Sequence, residues 1–293
     1  MKGWRRWLNL LSFGLLSTLI ILGAGILKIA HDGAFGYVHP PRSRRSADDT
    51  PDSLNIPYQE VTLVTRDGLE LAAWYTPPGN GAAILVAHGY GDKRSSRMHA
   101  FFAKAGYGVI SWDFRAHGES EGELCTLSLQ EALDVEAALD FALEQAEINH
   151  VGGWGGSMGA ASMINAAGRR QEIEAVVADS AFPTLEDELD KMVTVGILRQ
   201  LVRYFAEQES GLGIDQVRPV DQAGLISPRP LFVIQGAADK AIPSDSAQRL
   251  FDAAGEPRTL WIIPKADHLG AMIARPGEYE QRVISFFDRA LTE

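Results

Sequence analysis

Between residues 150 and 168 the chain reads HVGGWGGSMGAASMINAAG, and this stretch limits the available folds more than any other. A glycine-spaced apolar run leads into Ser157, and a run of small residues leads away from it. Glycine inside regular structure costs backbone entropy. Gly152, Gly153, Gly155, Gly156 and Gly159 must therefore serve backbone angles or close approaches that a side chain would forbid. Gly155-x-Ser157-x-Gly159, placed between a strand-like and a helix-like segment, is the pattern of a sharp corner. Such a corner lifts a serine hydroxyl above a sheet and aims a helix N-terminus at it. A phosphate-binding loop is the competing reading. It fails because Met158 stands where a dinucleotide fingerprint needs its third glycine, and no Lys follows.

The segments around this corner alternate in character. YQEVTLVT and LELAAWYTPP flank Arg66-Asp67-Gly68, a hairpin signal. AAILVAHG, YGVISWDF and PLFVIQG are short apolar runs suited to strands buried on both faces, and HVGGWGG, IEAVVADSAF and RTLWIIP read as further strands. Helical patterns lie between them at 95–105, 128–145, from Ser157 onward, near 244–254 and from about Gly277. Leu129, Leu133, Val135, Ala138, Leu139 and Ala142 give the second of these an apolar stripe, and Ser128-x-x-Glu131 reads as its capping box. A hairpin followed by alternating strands and helices implies an α/β sandwich with a mostly parallel sheet. Residues 183–229 separate two strands by more chain than one crossover helix needs. With 185–206 helical in pattern, a cap insertion over the sheet's carboxyl edge is expected.

The chain has 293 residues and a net charge of −11. Seven Lys/Arg and three Asp fall within the first 50 residues, leaving 20 basic against 35 acidic residues beyond them. An acidic body of this kind repels phosphate backbones, so nucleic acid is not an expected partner. One cysteine, Cys125, excludes an internal disulfide and a cysteine metal cluster. The N-terminus carries Lys2, Arg5 and Arg6, then runs without charge from Leu8 to Leu27, enough to span a bilayer as a helix. A cleavable signal sequence has a shorter apolar run and a small-residue cleavage site, so the run is read as an uncleaved single-pass anchor. Trp4 and Trp7 suit the interface. The basic N-terminal cluster outweighs Lys28, Arg42, Arg44 and Arg45 on the far side and favours an extracytoplasmic body. The expected division is an anchor at 1–30, a linker at 31–57 rich in Pro, Ser and charge, and a globular domain at 58–293.

A serine raised on such a corner needs a base, and in this architecture the order along the chain is Ser, acid, His. Of seven histidines only His268 follows Ser157, in the loop KADHLG beyond the last strand. The acid should end a strand between them. Asp239 in GAADKAIP is the first candidate and Asp179 in VVADSAF the second, while Asp267 adjoins His268 and should point away from it. Two backbone N–H groups should complete an oxyanion hole, those of Met158 and of Tyr90. His88 precedes the serine and is expected to organise its loop.

Together these segments resemble the α/β-hydrolase superfamily over residues 58–293. AHGYGD looks like its oxyanion loop, DFRAHGES like the turn after the following strand, GGSMGA like its elbow, GAADKAIP like its acid loop and ADHLG like its histidine loop. The chain is most similar to membrane-anchored serine hydrolases of the esterase/lipase or serine-aminopeptidase-like group. Gly156 replaces a bulkier residue and Ala160 a frequent second glycine, and neither change removes a catalytic group. The resemblance implies hydrolysis of a small-molecule or lipid ester, thioester or amide through an acyl-enzyme, with no metal or organic cofactor. An acyltransferase would use the same three residues, and a non-catalytic binding protein of this fold would usually lack Ser or His. Met192, Val193, Val195, Ile197 and Leu198 offer apolar surface for an acyl chain.

Overall fold

The computed structural model describes residues 2–43, 46 and 48–292; Arg44 and Arg45, and the side chains of Lys2, Arg5 and Arg6, lie outside the described residues. A long helix, α1 (Lys2–Val38), precedes the domain. The hairpin forms as β1 (Gln59–Val64) and β2 (Glu70–Thr76), paired antiparallel with Val64 opposite Glu70. The chain continues through β3 (Ala82–Ala87), α2 (Ser96–Lys104), β4 (Gly108–Trp112), α3 (Glu131–Leu143), β5 (His150–Gly156) and α4 (Met158–Ala167). After β6 (Ala175–Asp179) come α5 (Leu185–Met192), α6 (Gly196–Ser210) and α7 (Pro219–Ala223). β7 (Leu231–Gly236), α8 (Ser246–Ala253), β8 (Arg258–Ile263), α9 (Ala271–Ala274) and α10 (Pro276–Leu291) complete the domain.

Eight strands form one sheet in the order β1-β2-β4-β3-β5-β6-β7-β8. β2 pairs antiparallel with both β1 and β4, and from β4 through β3 to β8 the pairing is parallel. Every residue of β3, β4, β6 and β7 is buried, as their unbroken apolar runs require of strands covered on both faces. Helices α3, α4 and α8 pack on one face, and α2 and α10 on the other. The carboxyl ends of β3, β5, β7 and β8 thereby open on one edge of the sheet.

Three local outcomes differ from the sequence patterns. Helix α1 runs on to Val38, so residues 31–38, which read as the start of a linker, are helical. The 185–206 pattern is broken after Met192 at Val193, Thr194 and Val195, giving two helices. Helix α3 starts at Glu131 with Gln130 as its cap residue, and only half of the expected capping box forms. Glu131 accepts hydrogen bonds from the Ser128 and Thr126 backbone N–H groups at 2.7 and 2.9 Å. The Ser128 hydroxyl is engaged by Asn165 Nδ2 at 2.8 Å instead.

Candidate active site

Strand β5 ends at Gly156, helix α4 begins at Met158, and Ser157 between them has φ 55 and ψ −120. A non-glycine residue rarely adopts these angles. The corner is held by the Ser157 N–H, which donates to the Asp179 carbonyl at 2.8 Å. Its tightness explains two flanking glycines. A Cβ on Gly155 would lie 2.4 Å from the Gly159 carbonyl oxygen, and one on Gly159 would lie 2.4 Å from that of Ala87.

His268 reaches this serine from the loop after β8. With the imidazole neutral, the Ser157 hydroxyl donates to His268 Nε2 at 3.0 Å and His268 Nδ1 donates to Asp239 Oδ2 at 2.9 Å. Asp239 lies beyond β7. Its other oxygen accepts the N–H groups of Ala241 and Ile242, both at 2.9 Å. Burial works to raise the Asp239 pKa, but these donors and His268 outweigh it and hold the carboxyl below its ordinary value. The structure thus brings Ser157, Asp239 and His268 into one hydrogen-bonded chain.

The other two carboxylates are placed elsewhere. Asp267 accepts the His268 backbone N–H at 2.9 Å. Asp179 is buried behind the elbow and accepts from the Tyr279 hydroxyl at 2.9 Å and from that of Ser180 at 3.1 Å. Burial raises its pKa to about 6 despite those donors. His88 is buried, which lowers its pKa to about 4. It donates from Nδ1 to the Gly89 carbonyl at 2.7 Å and accepts the Phe114 N–H on Nε2 at 3.0 Å, pinning the loop that carries Tyr90.

Ser157, Met158, Tyr90 and His268 line a common cleft of about 510 Å³. The backbone N–H groups of Tyr90 and Met158 have no acceptor among the described residues. Leu127, Phe182, Leu185, Met192 and Ile242 make the cleft apolar. Of the cap residues expected to offer surface to an acyl chain, Met192 lines the cleft. Val193 and Leu198 are half-buried against the core, and Val195 and Ile197 are exposed outside the cleft. A second cavity of about 320 Å³ adjoins the first at Gly89, Asp92 and Leu269 and extends to Ser95, Arg97 and Trp154.

Two features of the site carried no signal in the sequence pattern. Gly33, Gly36 and Tyr37 of α1 form part of the cleft wall. Glu188 of α5 is buried at the cleft with Oε1 unpartnered among the described residues, and burial lifts its carboxyl to about 7 against the pull of Lys191 and His268. Among the described residues no group of three or more His, Cys, Asp or Glu is arranged to hold a metal.

A parallel sheet with an antiparallel hairpin at its edge, a serine on a strand–helix corner, and an acid and a histidine on later strand ends define the class. The chain belongs to the α/β-hydrolase superfamily and is a hydrolase of that fold. Residues 79–216 match the family model for serine aminopeptidase, S33. The chain is 26% identical to YfhR of Escherichia coli K12 over 246 residues, which cover 80% of this chain and 81% of that protein. It is 29% identical to Rv2307c of Mycobacterium tuberculosis over 217 residues, covering 72% of each; both relatives are described as uncharacterized. Among structures, the Pyrococcus furiosus esterase Pf2001 superposes with a TM-score of 0.74 at 27% identity, covering 87% of this chain and all of that one. The acylaminoacyl peptidase of Pyrococcus horikoshii shares the fold at 18% identity and a TM-score of 0.64, over 83% of this chain and 43% of its own length.

Proposed function

We propose that the protein is a serine hydrolase that cleaves a carboxylic ester, and by the same chemistry a thioester or amide, through an acyl-enzyme. The hydrogen-bonded chain from Ser157 through His268 to Asp239 carries this reading. His268 Nε2 takes the hydroxyl proton as Ser157 Oγ bonds to the acyl carbon, and Asp239 stabilises the imidazolium that forms. The negative charge on the former carbonyl oxygen falls to the Met158 and Tyr90 N–H groups, aided by the N-terminus of α4. Breakdown expels the alcohol, thiol or amine, which leaves with the proton from His268. Water, activated by the same histidine, then releases the acid. The apolar cleft suits the acyl part, and the more polar neighbouring cavity suits the leaving group. The esterase similarity favours an ester among the three substrate classes.

The remaining assignments belong to the same proposal. The hydrolase domain is taken as 58–293 with 183–229 as its cap, and α1 as a single-pass anchor with the domain on the extracytoplasmic side. Residues Asn9–Val38 form a helix long and apolar enough for that role, as an anchor or a signal sequence. The test is covalent. A fluorophosphonate probe should label the wild-type protein, and Ser157→Ala should abolish both labelling and the hydrolysis of a soluble acetate ester. Labelling that survives the substitution assigns the nucleophile to another residue.

A further inference from the structure

Three observations on α1 bear on where the substrate comes from. From Leu10 to Ile29 its large apolar side chains are exposed all round, whereas Ala30, Ala34 and Val38 are buried against the domain. The same last turns line the cleft through Gly33, Gly36 and Tyr37, and the Tyr90 hydroxyl donates to the Gly36 carbonyl at 2.6 Å. The helix is therefore joined to the catalytic cleft with no flexible tether between them.

The register of α6 on α1 fixes the height of the cap. Val202 lies beside Gly33, and Glu209 accepts from His39 at 2.9 Å, so the two helices run parallel. Gly196 at the start of α6 is then level with about Leu27, and the exposed Val195 and Ile197 sit at that height. Lys28, paired with Asp32 at 2.7 Å, is the first charge after the apolar run and marks the hydrocarbon boundary. At 1.5 Å per residue, Gly33 stands about 8 Å and Tyr37 about 14 Å beyond Lys28. The headgroup layer of one leaflet is roughly 5–8 Å thick. The cleft wall accordingly starts where the headgroups end, and the apolar cap tip reaches the hydrocarbon boundary.

We propose that the substrate is a long-chain acyl ester of the bilayer lipids, taken laterally from the membrane in which α1 sits. The tail follows α1 past Gly33 and Gly36 into the cleft while the ester carbonyl reaches Ser157. The cleft's volume of about 510 Å³ and its lining of Leu127, Phe182, Leu185, Met192 and Ile242 give the chain apolar surface to lie against. Water is the co-substrate, and the products are a fatty acid and the deacylated lipid alcohol. This rests on the serine-hydrolase reading above.

The test uses the full chain reconstituted in vesicles of ether-linked phosphatidylcholine. A fluorogenic glycerolipid ester with two C18 chains, which does not exchange between vesicles during the assay, is placed either in the same vesicles or in separate ones. Hydrolysis in the shared bilayer should exceed that across vesicles by about tenfold or more, because two long chains hold a lipid far more firmly than one. Equal rates in the two arrangements, or no hydrolysis in the shared bilayer, overturn the proposal. Soluble 4-methylumbelliferyl acetate is run alongside. If acetate is not hydrolysed, or survives Ser157→Ala, the serine-hydrolase reading has failed. If acetate is hydrolysed through Ser157 and the shared-bilayer lipid is not, the membrane route alone has failed. Gly36→Leu adds a side chain where no atom lies within 4 Å of the new Cβ, so the helix accepts it while the cleft narrows. The lipid-to-acetate rate ratio should fall about tenfold or more, since one methylene's worth of fit in an apolar pocket already changes a rate by about that much. An unchanged ratio removes α1 from the substrate path.

Discussion

The most exacting test of the elbow is Gly159→Ala. Its new Cβ would lie 2.4 Å from the Ala87 carbonyl oxygen, 2.6 Å from the Ala87 carbonyl carbon and 2.5 Å from the His88 carbonyl oxygen. Ordinary contact begins near 3.4 Å, so α4 and the end of β3 must part by about 1 Å. No flexible side chain stands there to yield. Overpacking of this kind costs roughly 1–3 kcal/mol, and in a domain of this size that lowers Tm by about 2–12 °C. The same displacement moves Ser157 relative to Tyr90, since Ala87 and His88 lead directly into the loop that carries that N–H. A shift near 1 Å at a reacting group costs about 10²-fold in rate. The assay is kcat on a soluble acetate ester together with a calorimetric Tm. Gly277→Ala serves as the control: it adds the same methyl to a helix where nothing lies within 4 Å, and should leave both quantities at or above wild type. A Gly159→Ala protein with unchanged Tm and unchanged kcat would refute the close-approach account of this glycine.

Asp239→Asn should lower kcat by roughly 10³–10⁴ with the fold retained by circular dichroism. Asp179→Asn should cost at most about tenfold, since Asp179 accepts from the Tyr279 and Ser180 hydroxyls behind the elbow and makes no hydrogen bond to His268. The reverse ranking in two folded variants would transfer the acid role to Asp179. Glu188 governs a pH dependence of stability. Its carboxyl is raised from 4.5 to about 7 in the folded protein, so between these values the folded state holds a proton that the unfolded chain releases. Stability is then lost as pH rises through that window, by up to about 3 kcal/mol. Glu188→Gln should be more stable than wild type at pH 8 and have a flatter Tm-against-pH curve, and matching curves would exclude Glu188 as the source.

The sheet was readable because burial on both faces demands what sequence displays well. AAILVA, GVISW and LFVIQG are too short for independent helices, are bounded by turn residues, and became β3, β4 and β7. The helices were readable in kind but less so at their ends, which depend on particular hydrogen bonds. Ser128-x-x-Glu131 has the letters of a capping box. Asn165, 37 positions along the chain, takes the serine hydroxyl, and a pattern four residues wide cannot register that competitor. The break between α5 and α6 falls at Val193, Thr194 and Val195, where β-branching lowers helix propensity, yet the amphipathic stripe continues across it and reads as one helix.

The site divides along the same line. The residues proposed to act through chemistry occupy fixed stations of the fold: a corner after one strand, loops after two later ones. The order serine, acid, histidine led to Ser157 and His268, but it fits Asp179 as well as Asp239, and only the hydrogen bond to His268 Nδ1 separates those two. Residues that shape the cleft are known only by what they pack against. Glu188 is one of several acids in LEDELD, and nothing in those letters separates the buried carboxyl from its exposed neighbour Glu186. Residues 31–38 are a stronger instance. His31, Asp32, Gly33 and Gly36 depress both hydropathy and helix propensity, so the run looks like the point where an anchor ends. Those two glycines are what bring the helix backbone to the cleft: Gly33 passes Val202 of α6, and Gly36 leaves space beside Tyr37. Contacts with α6 and with Tyr90 supply the stability that the local sequence lacks. A long apolar helix whose final turns pack into the hydrolase domain is thus disguised by the very residues that fit it there.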